Sequence, residues 1–140
     1  MRIPEVITIV LYGFVGAVSL KMAFKNLFSK KYLSFHEKAA GRSWEEIDKP
    51  LQVVILAVMR ISGLGFLMVA LLLLIFPVVN QFIHSEFLRY SIPIIAFLFC
   101  TGLFLVNYNL YKQTNTNTPW KRSLLAMIAI VAGIIISLLH

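Results

Sequence analysis

Four long apolar stretches dominate this sequence and leave it few ways to fold. They cover about residues 4–24, 51–79, 87–111 and 120–139. A bilayer core about 30 Å thick needs about 20 helical residues to cross it. Runs this long exceed the strands of a membrane barrel, and lipid requires each backbone group to be bonded within the segment. The sequence therefore predicts an all-α, polytopic membrane protein: a four-helix transmembrane bundle that forms a single transmembrane domain over residues 1–140.

The composition agrees with a lipid environment. Apolar residues make up 59% of the chain and charged residues 14%, whereas soluble domains have roughly 45–50% and 25%. The net charge of +7 does not indicate nucleic acid as a partner, because the basic residues cluster at the ends of the apolar stretches. The single cysteine, Cys100, excludes an internal disulfide and a CxxC redox pair.

The placement of lysine and arginine predicts the orientation in the membrane. One side carries nine basic residues, which are Lys25, Lys30, Lys31, Lys38, Arg42, Lys49, Lys112, Lys121 and Arg122. The other side carries only Arg2 and Arg89. The positive-inside rule then places both termini outside the cytosol. Composition rich in lysine, asparagine and isoleucine favours a bacterial inner (plasma) membrane.

The first connection, which contains FKNLFSKKYLSF, has amphipathic character. Its apolar side chains fall close to one helical stripe, and lysines occupy the other faces. Two interpretations remain open: an interfacial helix lying among lipid headgroups, or a continuation of the first span packed on the bundle. Either way, the fold prediction includes a basic amphipathic cytosolic connection between helices 1 and 2. The lipid bilayer and the anionic lipids of its cytosolic face are the expected partners.

Arg60 interrupts the second apolar stretch. If that span begins near Pro50, Arg60 lies about 15 Å along the helix at 1.5 Å per residue. Its guanidinium then either snorkels to lipid phosphates or anchors a ligand. Ala57 and Gly63 share its face, and small residues permit another helix to approach closely. We therefore expect Arg60 to face a helix or a cavity.

Other polar side chains are predicted at a similar depth and would complete a polar vestibule open to the cytosol. The candidate ligand-binding residues are Arg60, Lys21, Ser19, Asn107, Asn109 and Ser123. Two cations and several neutral donors suit a carboxylate, a phosphate or a lipid headgroup. The vestibule hypothesis requires all four helices to rotate these side chains inward.

Small residues at helical spacing predict close helix contacts. The candidate helix-packing residues are Gly13, Ala17, Ala57, Gly63, Ala129, Gly133 and Ser137. The contacting helix belongs to the same chain, to a second copy in a homo-oligomer, or to another membrane protein.

No catalytic motif is present, and we expect no cofactor and no metal, because His36, His84 and His140 lie in loops or at ends without ligand spacing. Three functional hypotheses remain. The first is a non-catalytic membrane subunit or accessory protein. The second is a small transporter or binder of an amphipathic anion at Arg60. The third is a membrane enzyme that acts on a lipid-like substrate.

Overall fold

The computed structural model describes residues 3–83 and 85–138, and the chain is helical throughout its long apolar stretches. The helices are α1 (Ile3–Leu27), α2 (Ser34–Ala40), α3 (Lys49–Ile83), α4 (Glu86–Thr114) and α5 (Trp120–Leu138), with a 3-10 turn at Trp44–Glu46. All but α2 are long and apolar enough to cross a membrane, which confirms the prediction of four candidate membrane spans. Arg2, His84 and His140 lie outside the described residues.

The four long helices form an antiparallel bundle. Gly16 of α1 lies against Leu73 and Leu74 of α3, whereas Gly63 of α3 lies against Leu27 of α1. α1 packs against α3 and α5, and α4 packs against the same two helices, with its contact to α3 the least extensive. We call the end where α1 begins and α5 ends the terminal end. The opposite end, which carries residues 28–48 and 115–119, is the connection end.

The core is a narrow apolar cluster along the bundle axis. Its buried residues are Tyr12, Val15, Val69, Leu73, Phe76, Ile92, Ala96, Cys100 and Ile130. Large apolar side chains also cover the outer surface, with Val10 62% and Val106 68% exposed. This distribution suits lipid, in which apolar surfaces need no burial and helices associate through close packing.

Glycines allow the closest of these helix contacts. A Cβ at position 63 would lie 2.9 Å from Leu27 Cγ, and a Cβ at position 133 would lie 2.9 Å from Tyr12 Cζ. Real Cβ atoms do not approach other atoms so closely. The absence of a side chain at Gly63 and Gly133 therefore sets how near α3 and α5 come to α1.

The first connection folds back onto the start of α3. α1 ends at Leu27 and α2 begins at Ser34, so the apolar stripe of this connection is divided between two helices and the segment that joins them. Tyr32 and Leu33 are buried against Met59 of α3, and the Tyr32 hydroxyl donates to the carbonyl of Arg42. The two residues after the lysine pair therefore cover part of the segment of α3 that projects past α1.

Short polar motifs fix the rest of this connection. Gly41 ends α2 with φ of 64°, in the left-handed region that glycine tolerates best. Ser43 and Glu46 form the capping box that their spacing predicts, with the Ser43 N–H donating to Glu46 Oε2 at 3.0 Å. Gln52 Nε2 donates to the carbonyls of Trp44 and Ile47 at 2.8 and 2.9 Å. These bonds tie the 3-10 turn to the first turn of α3.

Candidate functional site

Arg60 lies on the outside of the bundle, level with the end of α1. It is exposed, and it is three residues closer to the connection end than Gly63, which contacts Leu27. Three residues rise about 4.5 Å, so Arg60 is beyond the last turn of α1. The depth inferred from sequence assumed that α3 begins at the membrane surface. In fact about three turns of α3 project past α1 and pack on the connection.

Arg60 does not face a helix or a cavity within the described part of this chain, and its role as a ligand anchor stays a prediction. The side of α3 that packs on the bundle carries Met59, Gly63, Ala70 and Leu73, and successive helical residues are about 100° apart. Arg60 therefore points away from the buried stripe, and Ala57 is exposed beside it. Of the two small neighbours, only Gly63 belongs to a close helix contact.

The remaining predicted vestibule residues are dispersed. Lys21 and Asn109 are exposed, Ser19 is buried, and Ser123 is half-buried. Asn107 Nδ2 donates to the carbonyl of Leu103 within its own helix at 2.8 Å. None of the six lines the cavity described below, so their ligand role stays a prediction without a shared pocket.

The predicted helix-packing residues divide into two groups. Gly63, Gly133 and Ser137 are buried between helices, and Ala129 packs at the edge of the core. On α1, nothing comes within 4 Å of a Cβ built at Gly13, and Ala17 is exposed. The small-residue face of α1 is therefore not covered by any described part of this chain.

The structure places a cavity of about 560 Å³, with both apolar and polar walls, at the terminal end between all four long helices. Its walls are formed by Pro4, Glu5, Thr8, Ile9, Tyr12, Phe76, Pro77, Asn80, Gln81, Ser85, Glu86, Arg89, Ile136 and Ser137. Polar side chains from each helix meet here, whereas the sequence predicted a polar site at the opposite end.

Arg89 is the cation of this cavity and is held in place by α5. Its Nε donates to Ser137 Oγ at 2.6 Å, and one Nη donates to the Ser137 carbonyl at 2.7 Å. A guanidinium has five N–H donors, and these two bonds leave three for other groups. Within residues 3–83 and 85–138, Arg89 has no carboxylate partner. Its orientation is therefore fixed, while its charge is not neutralised by the described residues.

Two hydroxyls in the cavity wall are also unsatisfied. Tyr12 is 4% exposed, and neither its hydroxyl nor the buried Oγ1 of Thr8 has a hydrogen-bond partner among the described residues. Leaving a buried polar group unpaired costs about 1–3 kcal/mol. Such groups are a reason to expect a bound molecule or ordered water at the site.

Prolines inside the helices add free backbone acceptors to the same region. Pro93 lies within α4 and Pro77 within α3. Because proline has no N–H, it cannot bond to the carbonyl four residues earlier. The carbonyls of Arg89 and Leu73 therefore lack their usual helix donors.

The polar groups change sign along the axis of the cavity. Thr8 lies one helical turn nearer the terminal end than buried Tyr12, and Glu5 lies about one further turn outward. On α4, Glu86 lies one turn outward of Arg89, and both carboxylates are exposed. Donors and the guanidinium therefore occupy the interior, and carboxylates occupy the rim.

The residues Arg89 and Ser137 were the only sequence signal for this site, and the signal is weak. The count of basic residues places Arg89 at the outer end of the third span, where an arginine normally faces water. The spacing of small residues identifies Ser137 only as a helix-packing residue. Only the antiparallel register of α4 and α5 shows that these two residues meet.

Fold and cavity together define a helical integral membrane protein with a polar, arginine-containing site at one end of its bundle. No group of three histidine, cysteine, aspartate or glutamate side chains suited to a metal occurs in the described ranges. No protein-family model, no curated protein and no solved structure matches this chain.

Proposed function

We propose that the protein binds the head group of an amphipathic anion in the terminal cavity, with Arg89 as the anchor. The class of ligand is the one that the sequence analysis proposed for Arg60, an amphipathic anion, but the residue that binds it is Arg89. The observation that carries the proposal is an oriented guanidinium that has no carboxylate partner among the described residues.

The donors of Arg89 suit a carboxylate or a phosphate. Fixing Nε and one Nη on Ser137 lowers the conformational entropy that the side chain loses when it binds an anion. Guanidinium groups bind carboxylate and phosphate oxygens through two parallel bonds. The hydroxyls of Thr8 and Tyr12 offer further hydrogen bonds from α1.

The cavity also suits an apolar tail. Ile9, Phe76, Pro77 and Ile136 form apolar parts of its wall, and α3 and α4 make the least extensive of the neighbouring helix contacts. A ligand with a polar head and an apolar chain satisfies both kinds of surface. Binding sites of this kind combine apolar walls with a few placed polar groups.

The orientation proposed from the sequence indicates the side of the membrane on which this cavity opens. With nine basic residues at the connection end, that end faces the cytosol of a bacterial inner membrane, and the cavity opens on the other side. At the cytosolic face, Phe24 and Phe28 are exposed and stack at 5.8 Å. With Lys25, Lys30 and Lys31 beside them, they form a contact for anionic lipid headgroups.

The first test is native mass spectrometry of the protein released from a mild detergent. Arg60→Leu is the matched control for Arg89→Leu, because both remove an arginine from a membrane-spanning helix but only Arg89 lines the cavity. We expect wild type and Arg60→Leu to retain an anionic adduct of one molecule per chain, and Arg89→Leu to lose it. If Arg60→Leu loses the adduct and Arg89→Leu retains it, the residue that binds the anion is Arg60.

Titration with dodecyl phosphate in maltoside micelles provides the second readout. We expect Arg89→Leu to weaken its binding at least tenfold, and Arg89→Lys to weaken it too, because lysine lacks the bidentate geometry. Thermal unfolding of each variant shows whether it is folded. Equal binding by wild type and a folded Arg89→Leu would refute the proposal.

A second candidate function is that of a non-catalytic membrane subunit or accessory protein. The observation in its favour is the uncovered face of α1, where Gly13 has open space and Ala17 is exposed. A helix of a second copy or of another membrane protein fits such a face closely. Cross-linking through cysteines placed at Gly13 and Ala17, with exposed Val106 of α4 as the control position, tests it.

A further inference from the structure

We infer that the ligand of the terminal cavity is a zwitterion, with an anionic group bound by Arg89 and a primary ammonium bound at the rim by Glu86 and Glu5. This inference rests on the proposed function and names the class of head group. The axial order of charges in the cavity is its starting observation.

The cavity as a whole does not favour a simple anion. Its lining holds one guanidinium and two carboxylates. An anion with no cationic group would gain from Arg89 but would be repelled at the rim by the exposed carboxylate of Glu86. A molecule with both charges turns the repulsion into attraction.

The helix positions of the two charged residues suit a short zwitterion. Glu86 and Arg89 are three residues apart on one face of α4, about 4.5 Å along the axis. Among the described residues no hydrogen bond joins these two side chains, and the two bonds that Arg89 makes go to Ser137. The axial separation is comparable to that of a phosphate and an ammonium joined by a two-carbon linker. On α1 the order is the same: the carboxylate of Glu5 lies outermost, and the hydroxyl donors of Thr8 and Tyr12 lie further inside.

A buried donor suits the anionic group of the ligand, and exposed acceptors suit its ammonium group. Tyr12 is 96% buried, and its hydroxyl, which lines the cavity with Arg89, has no hydrogen-bond partner in residues 3–83 and 85–138. At the rim, Glu5 and Glu86 are exposed, so both carboxylates lie at the mouth of the cavity. Their carboxylates accept N–H bonds that a primary ammonium can donate and a quaternary ammonium cannot.

The ligand chemistry is shared by an ethanolamine lipid head group and by a free phosphate or carboxylate metabolite that carries an amine. The apolar part of the wall favours the amphipathic form. Two arms of the test distinguish these sources: dodecyl phosphoethanolamine as the amphipathic probe, and water-soluble phosphoethanolamine without a chain. Tighter binding of the soluble compound than of the dodecyl compound would assign the site to a metabolite.

The decisive comparison uses three single-chain probes in maltoside micelles: dodecyl phosphate, dodecyl phosphoethanolamine and dodecylphosphocholine. We expect the full-length protein to bind dodecyl phosphoethanolamine at least tenfold more tightly than either of the other two. The double variant Glu5→Gln, Glu86→Gln should lose this preference, so that the ratio to dodecyl phosphate falls to about one or below. Glu45→Gln, a carboxylate of the connection end, is the control and should keep it.

The outcomes separate this inference from the proposed function. If wild type binds dodecyl phosphate as tightly as the zwitterions, and Arg89→Leu abolishes that binding, the zwitterion inference is wrong and the anion site stands. If the preference for phosphoethanolamine survives in the folded double variant, the rim carboxylates are not its source and the inference is overturned. If no probe binds wild type, both proposals fail.

Discussion

Substituting Gly133 by alanine tests the closest contact in the bundle. The added Cβ would lie 2.9 Å from Tyr12 Cζ and 3.2 Å from Tyr12 Cδ1. The Tyr12 ring is 4% exposed and packs with Val15 and Ile130 in the core. The ring cannot move aside without disturbing those neighbours, so the substitution should destabilise the fold.

The magnitude follows from two opposing terms. Overpacking a well-packed core costs about 1–3 kcal/mol. Replacing glycine by alanine within a helix returns up to about 1 kcal/mol. Gly13→Ala on α1 adds the same methyl group where nothing lies within 4 Å. Its unfolding free energy therefore changes only through the gain in helix propensity. The difference in unfolding free energy between the two variants therefore isolates the overlap, at about 1–3 kcal/mol.

The assay is reversible unfolding by sodium dodecyl sulfate in mixed micelles, followed by tryptophan fluorescence. Gly133→Ala should unfold at lower denaturant than wild type, and Gly13→Ala at the same or higher denaturant. In a Tyr12→Leu background, Gly133→Ala should cost at least 1 kcal/mol less, because the ring that it strikes is gone. Equal stability of Gly133→Ala and Gly13→Ala would refute the contact, and with it the register of α1 and α5.

Three shorter predictions concern the connection and the exposed arginine. Arg60→Leu should change the unfolding free energy by less than about 0.5 kcal/mol in the same assay, as is usual for exposed sites; a loss above 2 kcal/mol would show a buried partner. Tyr32→Phe removes the bond to the Arg42 carbonyl and should destabilise the connection by about 0.5–1.5 kcal/mol, seen as faster hydrogen exchange there but not in α4. Burial lowers the pKa of His36, so the folded state favours neutral imidazole. Stability is therefore present above the ordinary histidine range and is lost as the pH falls below it; exchange in α2 should speed up on acidification, and His36→Gln should remove this dependence.

The four spans were predictable because length and hydropathy alone decide them. A run of about 20 apolar residues has one stable form in lipid, and no information about partners is needed. The boundaries were less predictable, since α3 starts at Lys49 and continues through Ile83. Hydropathy cannot separate the buried part of a helix from turns that project and pack on a connection, as Met59 does against Tyr32 and Leu33.

The site was not predictable for a different physical reason. In a soluble bundle, polar residues mark the outer face, so periodicity gives each helix its rotation. Here the outer face is as apolar as the core, as exposed Val10 and buried Val15 show. Rotation is then fixed by close contacts such as Gly133 on Tyr12, whose partners are more than a hundred residues apart in sequence. A small-residue pattern reveals that a helix packs closely without revealing against what.

Arg60 and Arg89 show how the prediction of a binding site depends on the rotation of each helix about its own axis, which the sequence does not reveal. Arg60 stands inside an apolar run, which makes it conspicuous, yet it points outward at the level where α1 ends. Arg89 stands near a span boundary, where arginines are common, yet its guanidinium is held by Ser137 beside two unsatisfied hydroxyls. The cost of an arginine in a span depends on whether its charge reaches water, lipid phosphate or a ligand. The position of an arginine along the sequence does not show which of these its charge reaches. The register between antiparallel helices does, and it moves the proposed binding site from the connection end of the bundle to the terminal end.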